Sequence, residues 1–132
     1  MIFTYVLKYT KIHWFTENNP DECCAWNMLG ILKERMSLKS GASKAFRNAL
    51  RLSDRTCRDK INMNYGRSLI NLNNYPEAIV IYKDVQEATF NSEIGLALAL
   101  FKGIIFKNYF IVVKFKICLI KEQTTLILYF YI

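Results

Sequence analysis

The chain has 132 residues, 52% of them hydrophobic, and its 18 Lys and Arg residues against 11 Asp and Glu residues give a formal net charge of +7. This length suffices for one small domain with a buried core. Four cysteines without a CxxC pair, together with a single histidine, exclude a disulfide-stapled or zinc-knuckle domain. No signal-peptide cleavage site follows the N-terminal segment, so we expect a reduced cytoplasmic setting, with the nucleus as a second location.

Alanine divides the chain into three regions. All alanines lie between Ala25 and Ala99, and both ends lack them. Alanine is the best helix former and allows helices to approach closely. We therefore predict an irregular N-terminal segment over residues 1–20, a helical region over residues 21–102 and a hydrophobic tail over residues 103–132.

Five helices are predicted in the middle region from apolar residues at helical spacing and from the turn residues between them. Pro20 precedes the first helix, and Asp21 and Glu22 suit the positive end of its dipole. Pro76 and Glu77 form a similarly favourable first turn in the fourth helix. The predicted helices cover residues 21–36, 42–52, 56–72, 75 to at least 85, and 92–102.

The tail is dominated by Ile, Phe, Tyr, Lys and Leu. These residue types share AT-rich codons, so we interpret the tail as irregular or non-native sequence, such as translated intron. Two apolar blocks, 109–120 and 125–132, flank four polar residues and predict a β-hairpin. Lysines interrupt each apolar run, so neither a membrane span nor any membrane association is expected.

The middle region repeats itself at a spacing of 36 residues. Small and aromatic residue classes return in register, and only the tryptophan position is lost. A period in the thirties built from two short helices is typical of a solenoid, in which each unit packs on its neighbours. We therefore predict an all-α fold, an antiparallel helix-hairpin solenoid of about two and a half repeats, with these residues packing the helices together. Trp26, Leu29, Gly30, Ala42, Phe46 and Ala49 recur as Asn62, Tyr65, Gly66, Ala78, Tyr82 and Val85.

These positions resemble the tetratricopeptide repeat, written W-x2-L-G in its first helix and A-x3-F/Y-x2-A in its second. The first unit fills all six positions, and the second keeps the glycine, the first alanine and the second-helix aromatic residue. The period departs from the family's roughly 34 residues, and Asp54 stands where a proline often closes the second helix. A third unit begins around Gly95 and breaks off after Lys102. The resemblance implies a non-catalytic scaffold that binds proteins and needs no cofactor.

A narrower resemblance is to the tetratricopeptide-repeat scaffold subunits of the superkiller complex, over residues 23–102. It implies a small part of a long cytoplasmic scaffold that holds RNA helicase and β-propeller subunits. It also implies a role in assisting exosome-mediated 3′-to-5′ mRNA decay. The strings that carry the resemblance are AWNMLGILKERM, NYGRSLINLNNYPEAIVIYKDV and IGLALALFK.

Two alternatives stand beside the decay scaffold. One is a generic peptide-binding adaptor, although the Lys–Asn pattern of co-chaperones that grip a C-terminal carboxylate is absent. The other is direct RNA contact through Arg47, Arg51 and Arg55, which step along one helix face into the next loop. That face lacks the interleaved aromatic residues that single-strand-binding proteins use for stacking. A solvated helix face is the simpler interpretation.

No catalytic, metal or cofactor site is predicted. His13 has no recognisable acidic partner, and the adjacent Cys23 and Cys24 cannot span a tetrahedral metal site. Neither GxGxxG nor GxxxxGK occurs, so no phosphate-binding loop is expected. The protein is therefore not expected to be an enzyme. Its partners are expected to be proteins, with any contact to RNA indirect.

Overall fold

A computed structural model describes the backbone of residues 2–131 and the side chains of residues 3–114, 116 and 117. In this part the chain forms six α-helices and no strand. The all-α class predicted from the repeat is confirmed. The helices are α1 (Ile2–Asn18), α2 (Cys23–Arg35), α3 (Lys39–Leu52), α4 (Arg55–Asn71), α5 (Tyr75–Lys83) and α6 (Phe90–Tyr131).

The turn between the two helices of a unit is built in the same way twice. Ser37 follows α2 with φ 60°, and Asn73 follows α4 with φ 59°, so both have left-handed backbone. The amide of Leu38 bonds to the carbonyl five residues back at 2.8 Å, and the amide of Asn74 does the same at 2.9 Å. This is the Schellman arrangement, with serine and asparagine in place of the usual glycine. The repeated turn packs α3 on α2 and α5 on α4 as hairpins.

The order of packing is that of a solenoid. α2 packs on α3, and α4 packs on α5; the second helix of each pair also contacts the first helix of the next, α3 with α4 and α5 with α6. α2 packs on α4 and α4 packs on α6, whereas the backbones of α3 and α5 do not come close to each other in the described residues. Helices on the inside of a curved stack lie closer together than those on the outside. The surface formed by α2, α4 and α6 is therefore the inner surface, and α3 and α5 form the outer surface.

One continuous hydrophobic cluster runs through both pairs and into α6. Phe46 and Tyr65 are the largest of its members that are almost completely buried, and Ala99 extends it into the third unit. Small residues on α3 and α5 let these helices lie close to their neighbours, since a bulkier side chain would hold the axes apart. The buried members are Ala42, Phe46, Tyr65, Leu69, Ile70, Tyr75, Ala78, Tyr82 and Ala99.

Asp54 connects the two units by capping α4. Its side-chain Oδ1 accepts hydrogen bonds from the amides of Thr56 and Cys57, both at 3.1 Å, and from the Thr56 hydroxyl at 2.8 Å. An aspartate in this position satisfies amides that have no partner within the helix. The bonds from Thr56 and then Cys57 lower the pKa of the Asp54 carboxyl to about 2. Asp54, which stands where the tetratricopeptide repeat often has proline, therefore begins the second unit instead of ending the first.

The Asp54 carboxyl predicts a specific loss of stability in acid. The folded-state pKa of about 2 lies below the ordinary value of 3.8. The carboxylate therefore contributes its full stabilisation of the folded state above pH 3.8. That stabilisation is lost as the pH falls through the folded-state pKa of about 2. Asp54→Asn keeps a capping oxygen but cannot titrate, so thermal unfolding followed between these two pH values should show a flatter pH dependence. Equal slopes for Asp54→Asn and wild type would contradict the assignment.

The prediction of an irregular N-terminal segment is wrong, because residues 2–18 form α1. This helix packs on α2, with Thr16 buried and its hydroxyl bonded to the carbonyls of Ile12 and His13 at 2.8 and 2.9 Å. α1 begins about one repeat length before α3, so it occupies the position of a second helix of a preceding unit. Packing on a neighbour stabilises a helix whose own sequence has no alanine.

The predicted β-hairpin in the tail is also wrong, because α6 continues without interruption from Phe90 to Tyr131. The polar residues at 121–124 are Lys, Glu, Gln and Thr, three of them good helix formers, and they include none of the Gly, Asn or Asp residues that a tight hairpin turn needs. The helix continues through Gly103, which lies against Tyr75 of α5. Aromatic and branched residues alone did not distinguish a strand from a helix.

Within α6, the stretch Phe90–Lys114 is long and apolar enough to cross a membrane, judged by length and composition alone. The expectation that lysines keep every apolar run too short for a span is therefore wrong for this helix. The first turns of the same stretch pack on the repeats, where Ser92, Gly95 and Ala99 are buried. This part of α6 is accordingly the first helix of the third unit.

Candidate partner-binding surface

The repeat aromatic of the first unit locks three helices together. Phe46 of α3 is fully buried, and a Cβ added to Gly30 of α2 would lie only 2.8 Å from its ring. The opposite neighbour of the ring is Tyr65 of α4, stacked at 5.4 Å between centroids with an interplanar angle of 27°. Glycine at position 30 is therefore what allows the ring to enter. Phe46 belongs to the interior and offers no surface to a partner.

Tyr82 plays the same part in the second unit. A Cβ on Gly66 of α4 would lie 2.6 Å from one edge of the Tyr82 ring, and a Cβ on Gly95 of α6 would lie 2.4 Å from the other edge. Burial raises the pKa of the Tyr82 hydroxyl, a shift that nearby Arg67 partly opposes. The first helix of the third unit, expected around Gly95, is thus present and packed against the second unit.

The side chains at the remaining repeat positions are also buried or half-buried. Trp26 is half-buried, and its Nε1 donates to the carbonyl of Pro20 at 2.8 Å. Asn62, which replaces tryptophan in the second unit, is completely buried and donates to Asp84 at 3.1 Å, while its Oδ1 accepts no bond from the described residues. The small and aliphatic positions that are buried alongside are Leu29, Ala42, Ala49 and Ala78.

Arg47, one of three arginines expected to contact RNA, is held by the protein itself. Its Nε donates to the Tyr65 hydroxyl at 3.0 Å and its terminal nitrogen to Glu77 Oε1 at 3.0 Å; the Tyr65 hydroxyl donates to the same oxygen at 2.8 Å. Burial would raise the pKa of Glu77, but the bonds from Tyr65 and Arg47 outweigh it and lower the pKa. The bonds that Arg47 donates to Tyr65 and then to Glu77 raise the pKa of Arg47. The network joins α3, α4 and α5 on the outer surface.

Arg51 and Arg55, the other two arginines expected to contact RNA, do not form one continuous basic surface with Arg47. Arg51 and Arg55 are exposed at the end of α3 and the start of α4. Arg58, farther along, pairs with Asp84 at 3.1 Å between Nε and Oδ2. Two of the cations in this region thus bridge helices of the solenoid, which leaves a short basic patch and not a track for a phosphate backbone.

The inner surface carries polar side chains that pair across the two units. Asn64 of α4 donates to Asn27 of α2 at 3.3 Å, and two turns farther along Asn71 of α4 donates to Glu34 of α2 at 2.8 Å. Both pairs are 37 residues apart, so the same face of each helix is used twice. Sequence reasoning missed these pairs because polar residues do not contribute to the apolar period that revealed the repeat.

Between α2 and α4, a groove of about 380 Å³ opens beside the Glu34–Asn71 pair. Ile31 and Ser68 lie along it, and the cations Arg35, Lys39 and Arg67 border it. No hydrogen bond or ion pair to another described side chain holds Arg67, which is exposed. The groove therefore presents free positive charge beside polar groups on the inner surface, and we take it as the candidate site.

A second groove of about 520 Å³ lies between α5 and α6 and is almost entirely apolar. Tyr75, Pro76 and Ile79 contribute from α5, and Leu100, Ile104 and Phe106 contribute from α6. Tyr75 and Phe106 meet edge to face at 5.8 Å between ring centroids. This groove extends the hydrophobic cluster to the surface and offers no charged side chain apart from Lys107 at its border.

Among the described residues, no group of three or more His, Cys, Asp or Glu side chains is arranged to hold a metal ion. His13 contacts Glu17 at 3.5 Å on the exposed face of α1, far from any cysteine in sequence and on a different helix.

Most of the chain is similar to a short portion of much longer proteins. Tetratricopeptide repeat protein 37 of Xenopus laevis is 35% identical over 92 residues, which is 67% of this chain and 6% of that protein. Superkiller complex protein 3 is 37% identical in Homo sapiens and 31% identical in Mus musculus, each over 98 residues, 71% of this chain and 6% of the relative. No family model matches the chain. The repeat positions, the helix-pair packing and these relatives together show that the chain matches a fragment of the tetratricopeptide repeat proteins, and among them of superkiller complex protein 3.

Proposed function

We propose that this chain acts as a non-catalytic segment of a cytoplasmic superkiller-type scaffold and that it binds a protein partner through the inner surface. A nuclear pool is compatible with the same role. The observation that carries the proposal is the groove between α2 and α4, where exposed Arg67 has no hydrogen-bond or ion-pair partner among the described side chains. The similarity to superkiller complex protein 3 supports the choice of assembly.

The different roles of the outer and inner surfaces support a scaffold function. The buried rings of Phe46 and Tyr82 and the Arg47–Tyr65–Glu77 network stabilise the stack from the interior and the outer side. A rigid stack needs no rearrangement to present the inner groove, which lowers the entropic cost of binding. In the assembly we propose, the partners are the RNA helicase and β-propeller subunits, and the complex assists exosome-mediated 3′-to-5′ mRNA decay.

Charge reversal in the groove tests the proposal. The tagged chain is expressed in cells, and recovered helicase, β-propeller and exosome subunits are quantified by mass spectrometry. Arg67→Glu should lower their recovery by roughly tenfold or more, because a like charge opposed to an acidic partner is strongly unfavourable. Arg51→Glu on α3 is the matched control, since it makes the same charge change at an exposed outer position.

The other outcomes favour the alternatives. Recovery of chaperones or unrelated proteins in place of decay subunits would support a generic peptide-binding adaptor. Loss of bound RNA with Arg51→Glu but not with Arg67→Glu would support direct RNA contact through the short basic patch. Unchanged recovery of decay subunits with Arg67→Glu would remove the inner groove from the proposal.

A further inference from the structure

Three thiols meet where α2 and α4 begin. The Sγ atoms of Cys23 and Cys57 lie 2.8 Å apart, and the Sγ of Cys24 lies 4.0 Å from that of Cys23. Cys23 is the first residue of α2, and Cys57 lies in the first turn of α4. All three are free thiols; Cys23 and Cys57 are half-buried, and Cys24 is exposed. The repeat thus brings together two cysteines that are 34 positions apart in the chain.

The geometry selects one pair for bond formation. A disulfide requires its sulfur atoms at about 2.05 Å, so the Cys23–Cys57 gap has to close by roughly 0.8 Å. The two sulfur atoms are thus already much closer than the side chains of two unrelated helices would place them. The alternative Cys23–Cys24 pair is wider and would close a strained ring between adjacent residues. Asp54 fixes the backbone of the Cys57 turn by accepting its amide at 3.1 Å.

We propose that Cys23 and Cys57 are an oxidation site that forms an intramolecular disulfide when the protein meets a peroxide. The Cys57 thiolate attacks one oxygen of hydrogen peroxide, the O–O bond breaks, and a sulfenic acid and hydroxide form. The Cys23 sulfur then attacks the sulfenic sulfur while its proton passes to the leaving oxygen. The S–O bond breaks, the S–S bond forms and water departs. In total, two thiols lose two electrons and two protons, and one peroxide becomes two water molecules.

The local environment makes Cys23 slow to react with an oxidant. Burial, followed by the neighbouring thiols of Cys57 and Cys24, raises the pKa of Cys23 to about 12. Cys23 therefore stays protonated at neutral pH and is a poor first nucleophile, which leaves the first attack on peroxide to Cys57; Cys23 attacks the sulfenic sulfur afterwards, at the short distance between the two sulfur atoms. In cells a cytosolic disulfide is usually transient and redox-sensing. The bond would join the first turns of α2 and α4 and so fix one end of the inner surface.

The test uses the full chain with Cys118→Ser, which removes the fourth thiol. After peroxide treatment and alkylation of the remaining thiols, peptide mapping should find residues 23 and 57 in one cross-linked pair. The melting temperature should rise by roughly 5–15 °C, because the bond constrains the unfolded chain, and a dithiol reductant should reverse the rise. Cys24→Ser should keep both results, and Cys57→Ser should lose both.

A Cys23–Cys24 bond, a cross-link between two chains, or no cross-link in the Cys118→Ser chain would overturn the proposal. Retention of the temperature rise in Cys57→Ser would do the same. Circular dichroism of each reduced variant establishes folding. Should Cys57→Ser fail to fold, Cys23→Ser removes the other partner of the same bond and has to lose both results for the proposal to stand.

Discussion

Replacing Phe46 by alanine is expected to lower the free energy of unfolding by about 3–5 kcal/mol. The ring is fully buried, contacts Gly30 on one side and stacks on Tyr65 on the other, so its removal leaves a cavity at the junction of three helices. Tyr65, the stacking partner of the lost ring, is also held by a hydrogen bond from Arg47 at 3.0 Å. Urea denaturation followed by circular dichroism at neutral pH measures the change.

Phe3→Ala is the matched control, because it removes the same atoms from a side chain that is 80% exposed on α1. Surface changes of this kind usually alter stability by no more than about 0.5 kcal/mol. Equal effects at positions 3 and 46 would contradict the role of Phe46 as the wedge between the two units.

Replacing Gly66 by alanine is expected to lower the free energy of unfolding by about 1–3 kcal/mol through overpacking. The expectation runs against helix propensity, since alanine in a helix is favoured over glycine by roughly 0.5–1 kcal/mol. The added Cβ would lie 2.6 Å from the Tyr82 ring, and the other edge of the ring already packs against the backbone of α6 at Gly95, where even a Cβ would not fit. Thermal and urea denaturation both report the loss.

Gly41→Ala provides a control of opposite sign. Position 41 lies in the first turn of α3, where the nearest side-chain atom to an added Cβ is Cδ of the flexible Lys33 at 3.2 Å. At position 41 the higher helix propensity of alanine should outweigh this contact and stabilise the protein slightly. Combining Gly66→Ala with Tyr82→Ala should remove most of the cost of the glycine change, since the two sites share one contact. Additive effects in the double variant would show that the clash with Tyr82 is not the cause.

Both predictions concern the interfaces between units, and this is where a solenoid stores its stability. Each unit of such a fold contacts mainly its neighbours, so stability accumulates from the units and the interfaces between them. Phe46 connects α2, α3 and α4, and Tyr82 connects α4, α5 and α6 in the same manner. Weakening the contacts of Phe46 or Tyr82 should therefore separate the two units before either helix pair unfolds. The inner groove depends on how the two units are aligned.

The positions of α2 to α5 were predictable because their signals are local. Proline and acidic residues mark the first turn of α5, and Asp54 with Ser53 marks the boundary before α4. The residue classes at the 36-residue period identified the helix pairs, since each pair has to bury the same small and aromatic positions. Local composition failed at α1 and in the tail, where alanine is absent and the helices extend beyond any capping signal.

The sequence by itself determined the all-α class, the helix-pair repeat and the kind of protein it resembles, because periodicity and turn residues depend only on near neighbours along the chain. Only the tertiary structure decided that Arg47 belongs to the outer network, that Asn27 pairs with Asn64, and that Cys23 touches Cys57. Each of these contacts joins residues from different helices, at separations of 18 to 37 positions. Which side chains meet at such distances depends on how the helices stack, and the apolar pattern of the sequence does not carry that information for polar residues.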